Sequence, residues 1–230
     1  MNTQDLFVTL RLAITTTAIL MLLALPLARW IALSRSRAKS IVEAVVALPL
    51  VLPPTVLGFY LLVLMGPRTA PGRFLTAVLG HPLAFSFSGL VVGSVIYSLP
   101  FAVQPLVAGF AAVDAAMLDA ATLLGAGRAR IFFEVLLPLS KRSIVTAAVL
   151  AFTHTVGEFG VVLMIGGDLP GVTRTLSISI YDQVQDFAYA SANRTALLLL
   201  GFSFVALLLI YTRWTRWGTQ ADSARGRARA

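Results

Sequence analysis

The chain has no cysteine, only two histidines, and charged side chains at just 12% of its 230 positions. Without thiols there are no disulfides, iron–sulfur clusters or thiolate zinc sites, and no redox compartment can be inferred. The shortage of charge says more, because soluble domains carry about 25% charged residues. Here 58% of residues are hydrophobic and the mean hydropathy is +0.87. One soluble core of this length cannot bury that excess, and apolar runs of about 18 residues or more read as bilayer spans. A phosphate-binding G-x-x-x-x-G-K-[ST] loop is also missing, so any ATP hydrolysis belongs to a partner. Gly201-Phe202-Ser203 lacks the glycine that follows a serine nucleophile, which leaves no catalytic residue to name. No positive stretch precedes the first apolar run, so that run reads as a retained span and not a signal peptide.

What is present is an all-α, polytopic pattern. Five apolar segments are expected to span the bilayer, at 6–28, 41–65, 83–113, 143–165 and 195–211. The third is long for one crossing, and Pro100 and Pro105 predict a single kinked or tilted helix in place of two short ones. The net charge of +8 comes without an aromatic-interleaved basic patch, so it reports orientation and not nucleic-acid binding. Thirteen basic residues fall on one side: Arg29, Arg35, Arg37 and Lys39; Arg128, Arg130, Lys141 and Arg142; Arg213, Arg216, Arg225, Arg227 and Arg229. Five fall on the other: Arg11, Arg68, Arg73, Arg174 and Arg194. The positive-inside rule then puts the N-terminus outside and the C-terminus in the cytoplasm. Residues 1–217 form the membrane domain, with a cytoplasmic loop at 114–140. The tail 218–230 is expected to be irregular and held near anionic headgroups. No internal repeat is visible, which argues against folds built from inverted repeats.

The loop 114–140 is the one conspicuous polar interruption. Its stretch DAATLLGAGRARIFFEVLLP, Asp119 to Pro138, begins with alanines, pauses at two glycines and stops at a proline. Met117–Leu124 predicts a helix with acidic residues near its start, where the helix dipole favours them. Gly125 and Gly127 permit a sharp turn. Arg130–Leu137 predicts a second short helix, with Ile131, Phe132, Val135 and Leu136 on one face, and Pro138 closes it or opens the next span. Two short helices at a glycine bend make a knob suited to a groove on a cytoplasmic partner. The plainer reading is an amphipathic loop lying on headgroups, but that does not require the spacing found here.

This stretch resembles the EAA loop of ABC importer permeases: Glu-Ala-Ala, three residues, Gly, nine residues, Ile, one residue, Leu-Pro. The chain gives Asp119-Ala120-Ala121, Gly125, Val135 and Leu137-Pro138 at each of those spacings, with Asp for Glu and Val for Ile. Leu48–Gly66 and Gly157–Gln185 are similar to the molybdate branch of these permeases, which is related to the sulfate and tungstate permeases. The resemblance implies the type I (MetI-like) importer permease fold. It also implies a bacterial inner-membrane transport subunit, not an enzyme. Two copies would form the pathway, two cytoplasmic ABC ATPase subunits would bind ATP and Mg beneath them, and a periplasmic molybdate-binding protein would deliver the oxyanion. Within that scheme Asp119, Ala120, Ala121, Gly125, Val135, Leu137 and Pro138 couple to the ATPase. No cofactor is implied in this chain. The alternatives are a tungstate or sulfate permease and, from another class, an ion-coupled carrier or channel that needs no ATPase.

Other residues stand out inside the apolar runs. Glu158 is an acid within the fourth span, where ionisable groups are costly and often functional. It is a candidate for a gate or pathway, weighed against the favoured structural role of accepting hydrogen bonds from a neighbouring helix or a second copy. Gly157 and Gly160 would let another helix approach closely. His154 and Glu158, four apart, are expected on one helical face, yet with so few ligating residues no metal site is expected. Pro49, Pro53 and Pro54 predict a broken or bent second span, with Thr55 free to satisfy an unpaired carbonyl and Pro53, Pro54 and Thr55 candidate pathway residues. In the outer loop Arg174 is a candidate contact for the oxyanion or its binding protein, weighed against an ordinary solvated charge.

Overall fold

The computed structural model describes residues 3–227, with side chains described through Leu208. Its secondary structure is helical in this order: α1 (Thr3–Leu33), α2 (Ala38–Val51), α3 (Pro54–Met65), α4 (Ala70–Leu79), α5 (Phe87–Ala111), α6 (Ala115–Leu123), α7 (Arg128–Leu139), α8 (Lys141–Gly157), α9 (Gly160–Gly166), α10 (Leu176–Gln185) and α11 (Tyr189–Arg227). Three helices are long and apolar enough to cross a membrane: α1, α5 and the described part of α11, Tyr189–Leu208. Counting the bent pairs α2–α3 and α7–α8 as one span each gives up to five.

The centre of the fold is α1 packed on α5 and α8. Buried α1 residues recur at three- and four-residue intervals, among them Leu12, Thr16, Leu20, Ala24, Ala28 and Ile31, so they form one stripe. That stripe meets Ala102, Val103, Leu106 and Phe110 of α5 and Ala147 and Ala151 of α8. Lipid is as apolar as leucine, so burial of oily area does not drive this association. The small side chains at the crossings do, by letting backbones approach closely enough for dense van der Waals contact.

The second span is broken at its prolines. Leu52 and Pro53 each precede a proline and are held extended, with ψ 137° and 133°. Pro54 then opens α3 at a position that needs no amide hydrogen. The two halves meet at 111°. By contrast, Pro100 and Pro105 lie inside α5, which stays helical through both. It starts at Ser86, whose hydroxyl accepts from the Gly89 amide at 3.1 Å.

Several expectations need correction. The segment 143–165 is not one helix: α8 ends at Gly157, Glu158 is extended (φ −65°, ψ 134°), and α9 starts at Gly160. His154 and Glu158 therefore do not share a helical face. The outer stretch 166–194 contains a helix, α10. Thr175 caps it by accepting from the Ile178 amide at 3.4 Å, and Leu176 and Ile178 are buried. The last span begins at Tyr189, before 195. The tail, expected to be irregular from 218, continues α11 in helix to Arg227, in keeping with its alanine and arginine content. Residues 228–230, and the side chains of Arg213, Arg216, Arg225 and Arg227, lie outside what is described.

Candidate functional site

The knob comes first. Asp114 caps α6, its carboxylate accepting from the Ala116 amide at 2.9 Å. α6 buries none of its own residues, and Asp119 and Ala120 lie exposed on it. The chain then turns at Gly125, whose φ of +83° and open surroundings suit a residue without a side chain. Leu123 and Leu124 at the tip are each 88% exposed. α7 returns beneath them and widens into a π-helical turn over Ile131–Leu136. Its inner face anchors the knob. Leu136 is buried, Phe132 meets Phe110 edge-on at 6.3 Å, and the Arg29 guanidinium lies 5.1 Å over the Phe132 ring. Arg29 also donates to the Arg128 carbonyl at 3.2 Å. On the outer face Arg130 donates to Glu134 at 2.7 Å, a bond that raises the arginine's pKa. Val135 and Leu137 are half-buried, and Pro138 is exposed. A rigidly seated two-helix projection with a bare leucine tip is thus built from the predicted residues.

A cavity of about 490 Å³ between the two helix breaks is the second feature. It is lined by Pro54 and Thr55 from the proline break, by Gly157, Glu158 and Gly160 from the second break, and by Tyr97, Thr153 and His154. Two groups of predicted residues, about a hundred positions apart, come together here. Gly160 makes the approach possible: a Cβ there would lie 2.7 Å from Cβ of Pro54. Pro53 sits at the break but does not line the cavity. Glu158 is 3% exposed, and neither carboxylate oxygen has a hydrogen-bond partner within the described residues. His154 is held as part of a network. Its Nδ1 lies 2.8 Å from Ser98 Oγ, its ring stacks on Phe101 at 3.9 Å, and Ser98 also meets Thr155 Oγ1 at 3.1 Å. The Thr155 hydroxyl donates to the Ala151 carbonyl, so Ser98 donates to Thr155 and His154 Nδ1–H donates to Ser98. That leaves Nε2 for the cavity.

Arg174 is in neither place. Its guanidinium donates from Nε to Asp168 Oδ1 and from Nη2 to Oδ2 at 2.7 Å, and Nη2 lies 3.6 Å from Asp182. This hydrogen bonding holds the Asp168 carboxyl below its ordinary range. Asp182 goes the other way, pushed up to about 6 by burial and then by the neighbouring Asp168 carboxyl. The loop between them is turned by Gly167 and Gly171, both at positive φ. It is tied to α1 where the Leu176 amide donates to the buried Thr9 hydroxyl at 2.9 Å.

Residues 21–220 match the family model of the binding-protein-dependent transport system inner membrane component. The chain belongs to that family. The permease is therefore a multi-pass inner-membrane transport subunit and not an enzyme. It is 53% identical over 205 residues to the molybdenum transport system permease protein ModB of Azotobacter vinelandii, covering 89% of this chain and 90% of that one. To ModB of Escherichia coli K12 it is 37% identical over 172 residues, 74% and 75% of the two chains. Among solved structures, a bacterial ABC transporter that imports alginate aligns with a TM-score of 0.68 at 18% identity, covering 92% of this permease and 78% of that chain. That likeness establishes the importer permease fold.

Three features escaped sequence reasoning. Tyr97 and Ser98 looked like ordinary members of an apolar run. Their signal was weak but present: two adjacent hydroxyls where a lipid-facing helix would carry none. Asp5, 1% exposed in the first turn of α1, lies within electrostatic reach of Arg174. Its signal was an acid at the mouth of a span.

Proposed function

We propose that this permease is the membrane subunit of an ATP-driven molybdate importer. Two copies form the pathway, two ABC ATPase subunits engage their knobs, and a periplasmic binding protein delivers the oxyanion. The observation that carries the reading is the knob. The residues Asp119, Ala120, Ala121, Gly125, Val135, Leu137 and Pro138 all fall on the α6–α7 knob, whose second helix bends by 77° into α8. The bare Leu123–Leu124 tip supplies apolar surface that an ATPase cleft would cover. The molybdenum transport names of its relatives support the substrate, and tungstate and sulfate are the nearest alternatives. An alginate transporter solved with its periplasmic protein supports the assembly.

In mechanism, closure of the ATPase dimer draws the two knobs together. Because α7 is packed into the α1–α5–α8 core through Leu136 and Phe132, the displacement passes to the helices that hold the cavity between the two breaks. The two breaks, at Pro53–Pro54 and at Gly157–Phe159, are where helix halves can reorient without tearing a continuous hydrogen-bond ladder. We assign Pro54, Thr55, Gly157, Glu158 and Gly160 to the pathway wall, with Pro53 setting the angle of the break. We assign Arg174 to holding the outer loop: its charge is matched by Asp168 and Asp182, so it is not a free attractor of anions.

We assign the N-terminus to the outside and the knob to the cytoplasm, a reading supported by the positive charge on the knob side. Gly125→Asp, or deletion of 120–125, is expected to abolish copurification of the ATPase while the chain still inserts in the membrane. Unchanged copurification would refute the coupling assignment. A cysteine at Ala126 is expected to resist an impermeant thiol reagent outside whole cells, and one at Asp168 to react.

A further inference from the structure

The face of α5 that looks into the cavity between the helix breaks continues past it. Tyr97 lines that cavity; Gln104 lies seven residues further on. At 3.6 residues per turn the two are about 20° apart around the helix and about 10 Å apart along it. Phe101, stacked on His154, sits between them, and Ala108 continues the row. Gln104 opens into a second cavity of about 330 Å³, formed where α5 faces Glu43, Val46 and Ala47 of α2.

Gln104 is out of place for a lipid-facing position. It is exposed, lies inside a 25-residue apolar helix, and makes no hydrogen bond among the described residues. A carboxamide in hydrocarbon leaves two donors and an acceptor unpaired, which is strongly unfavourable. A side chain so placed belongs against water, protein or a polar ligand. Its chemistry suits a tetrahedral oxyanion, to which the amide can give two N–H bonds without a fixed positive charge. Neither cavity is lined by Lys or Arg. A cation-free wall binds a dianion weakly, and a group on a conduction route must release what it contacts. Glu43, held only by Lys39 at 4.0 Å, adds an opposing charge at the same place.

We infer that the oxyanion route runs from the cavity between the helix breaks down this face of α5, and that the Gln104 amide contacts the anion in the second cavity beside Glu43. This rests on the pathway reading above, and a second copy of the chain would close the open side of the groove.

The chain has no cysteine, so a single introduced thiol reports one position. Thr55→Cys, Gln104→Cys and Leu200→Cys are made in the full importer and treated with an anionic sulfonate thiol reagent, with and without ATP and with and without molybdate. Leu200 is 67% exposed on α11 and serves as the lipid-facing control. Gln104→Cys and Thr55→Cys are expected to react in at least one nucleotide state, to be slowed by molybdate, and to lose uptake on modification. Leu200→Cys is expected to stay silent. Gln104→Leu is expected to cut molybdate uptake about tenfold or more, the effect of losing a hydrogen bond to a charged ligand. ATPase copurification should be unchanged, and Gln104→Asn should restore part of the uptake. Reaction at Thr55 with silence at Gln104 overturns this inference and leaves the pathway reading standing. Silence at both overturns both. Parental uptake by Gln104→Leu also overturns it.

Discussion

Gly157 and Gly160 flank the same break, yet they differ in what a methyl group would meet. At Gly160 an added Cβ would sit 2.7 Å from Cβ of Pro54 and 3.5 Å from the Pro54 carbonyl carbon and the Thr55 nitrogen. Carbon pairs are most favourable at about 3.5–4.0 Å, so roughly 1 Å must be found. The obstructing atom belongs to a proline ring fixed to the backbone, so it cannot swing aside; α3 and α9 must separate instead. Overpacking of this kind costs about 1–3 kcal/mol. At Gly157 nothing lies within 4 Å, and the residue ends a helix. There a methyl group is neutral or stabilises by up to about 1 kcal/mol, the helical preference of alanine over glycine. Near the midpoint, each kcal/mol shifts Tm by about 2–4 °C in a chain of this length. Thermal unfolding of the purified Gly160→Ala protein in detergent should therefore begin several degrees below the parent. Gly157→Ala should match or exceed the parent's stability while narrowing the cavity and slowing uptake. If Gly160→Ala is as stable as Gly157→Ala, the close approach of the two breaks is wrong, and with it the assembly of the pathway wall.

Other consequences are as specific. Asp114→Ala removes the cap of α6, costing that helix about 0.5–2 kcal/mol, and should weaken ATPase copurification, while Asp114→Ser keeps the cap and should keep the interaction. Thr9→Val leaves the buried Leu176 amide without its acceptor; a loss of about 1–3 kcal/mol is expected, seen as lower Tm and faster proteolysis of the outer loop. Asp182 has a folded pKa of about 6 against 3.8 when unfolded. Between those values the folded state holds the extra proton, so stability from this group falls as pH rises through the window. Asp182→Asn should therefore flatten the decline in Tm between pH 4 and pH 6, and an unchanged profile would refute the assignment.

Much of this was legible from the residues. The knob could be placed because its signals are local: alanines that favour helix, a glycine that accepts positive φ, a proline stop. The bend at Pro53–Pro54 was legible for the same reason, since proline constrains the residue before it whatever the surroundings. The second break was not. His154, Glu158 and the two glycines interrupt the apolar run without marking a helix end, and only packing of Gly160 against Pro54, far off in sequence, shows why the helix stops there. Arg174 misled for a related reason. An outer-loop arginine reads as free until the turns at Gly167 and Gly171 bring Asp168 back onto it. His154 was weighed against Glu158 because the two are four apart. Its actual neighbours, Ser98 and Phe101, come from another helix, and no spacing within one segment could have named them.

Under the proposed function this chain moves an oxyanion only when its knob is driven by another polypeptide's ATP cycle. The direct test is radiolabelled molybdate uptake into proteoliposomes, comparing the permease alone with the permease plus its ATPase and binding protein. Accumulation against a gradient is expected only in the complete system with ATP, and is expected to be lost with Gly125→Asp. Accumulation by the permease alone, driven by an ion gradient, would contradict it.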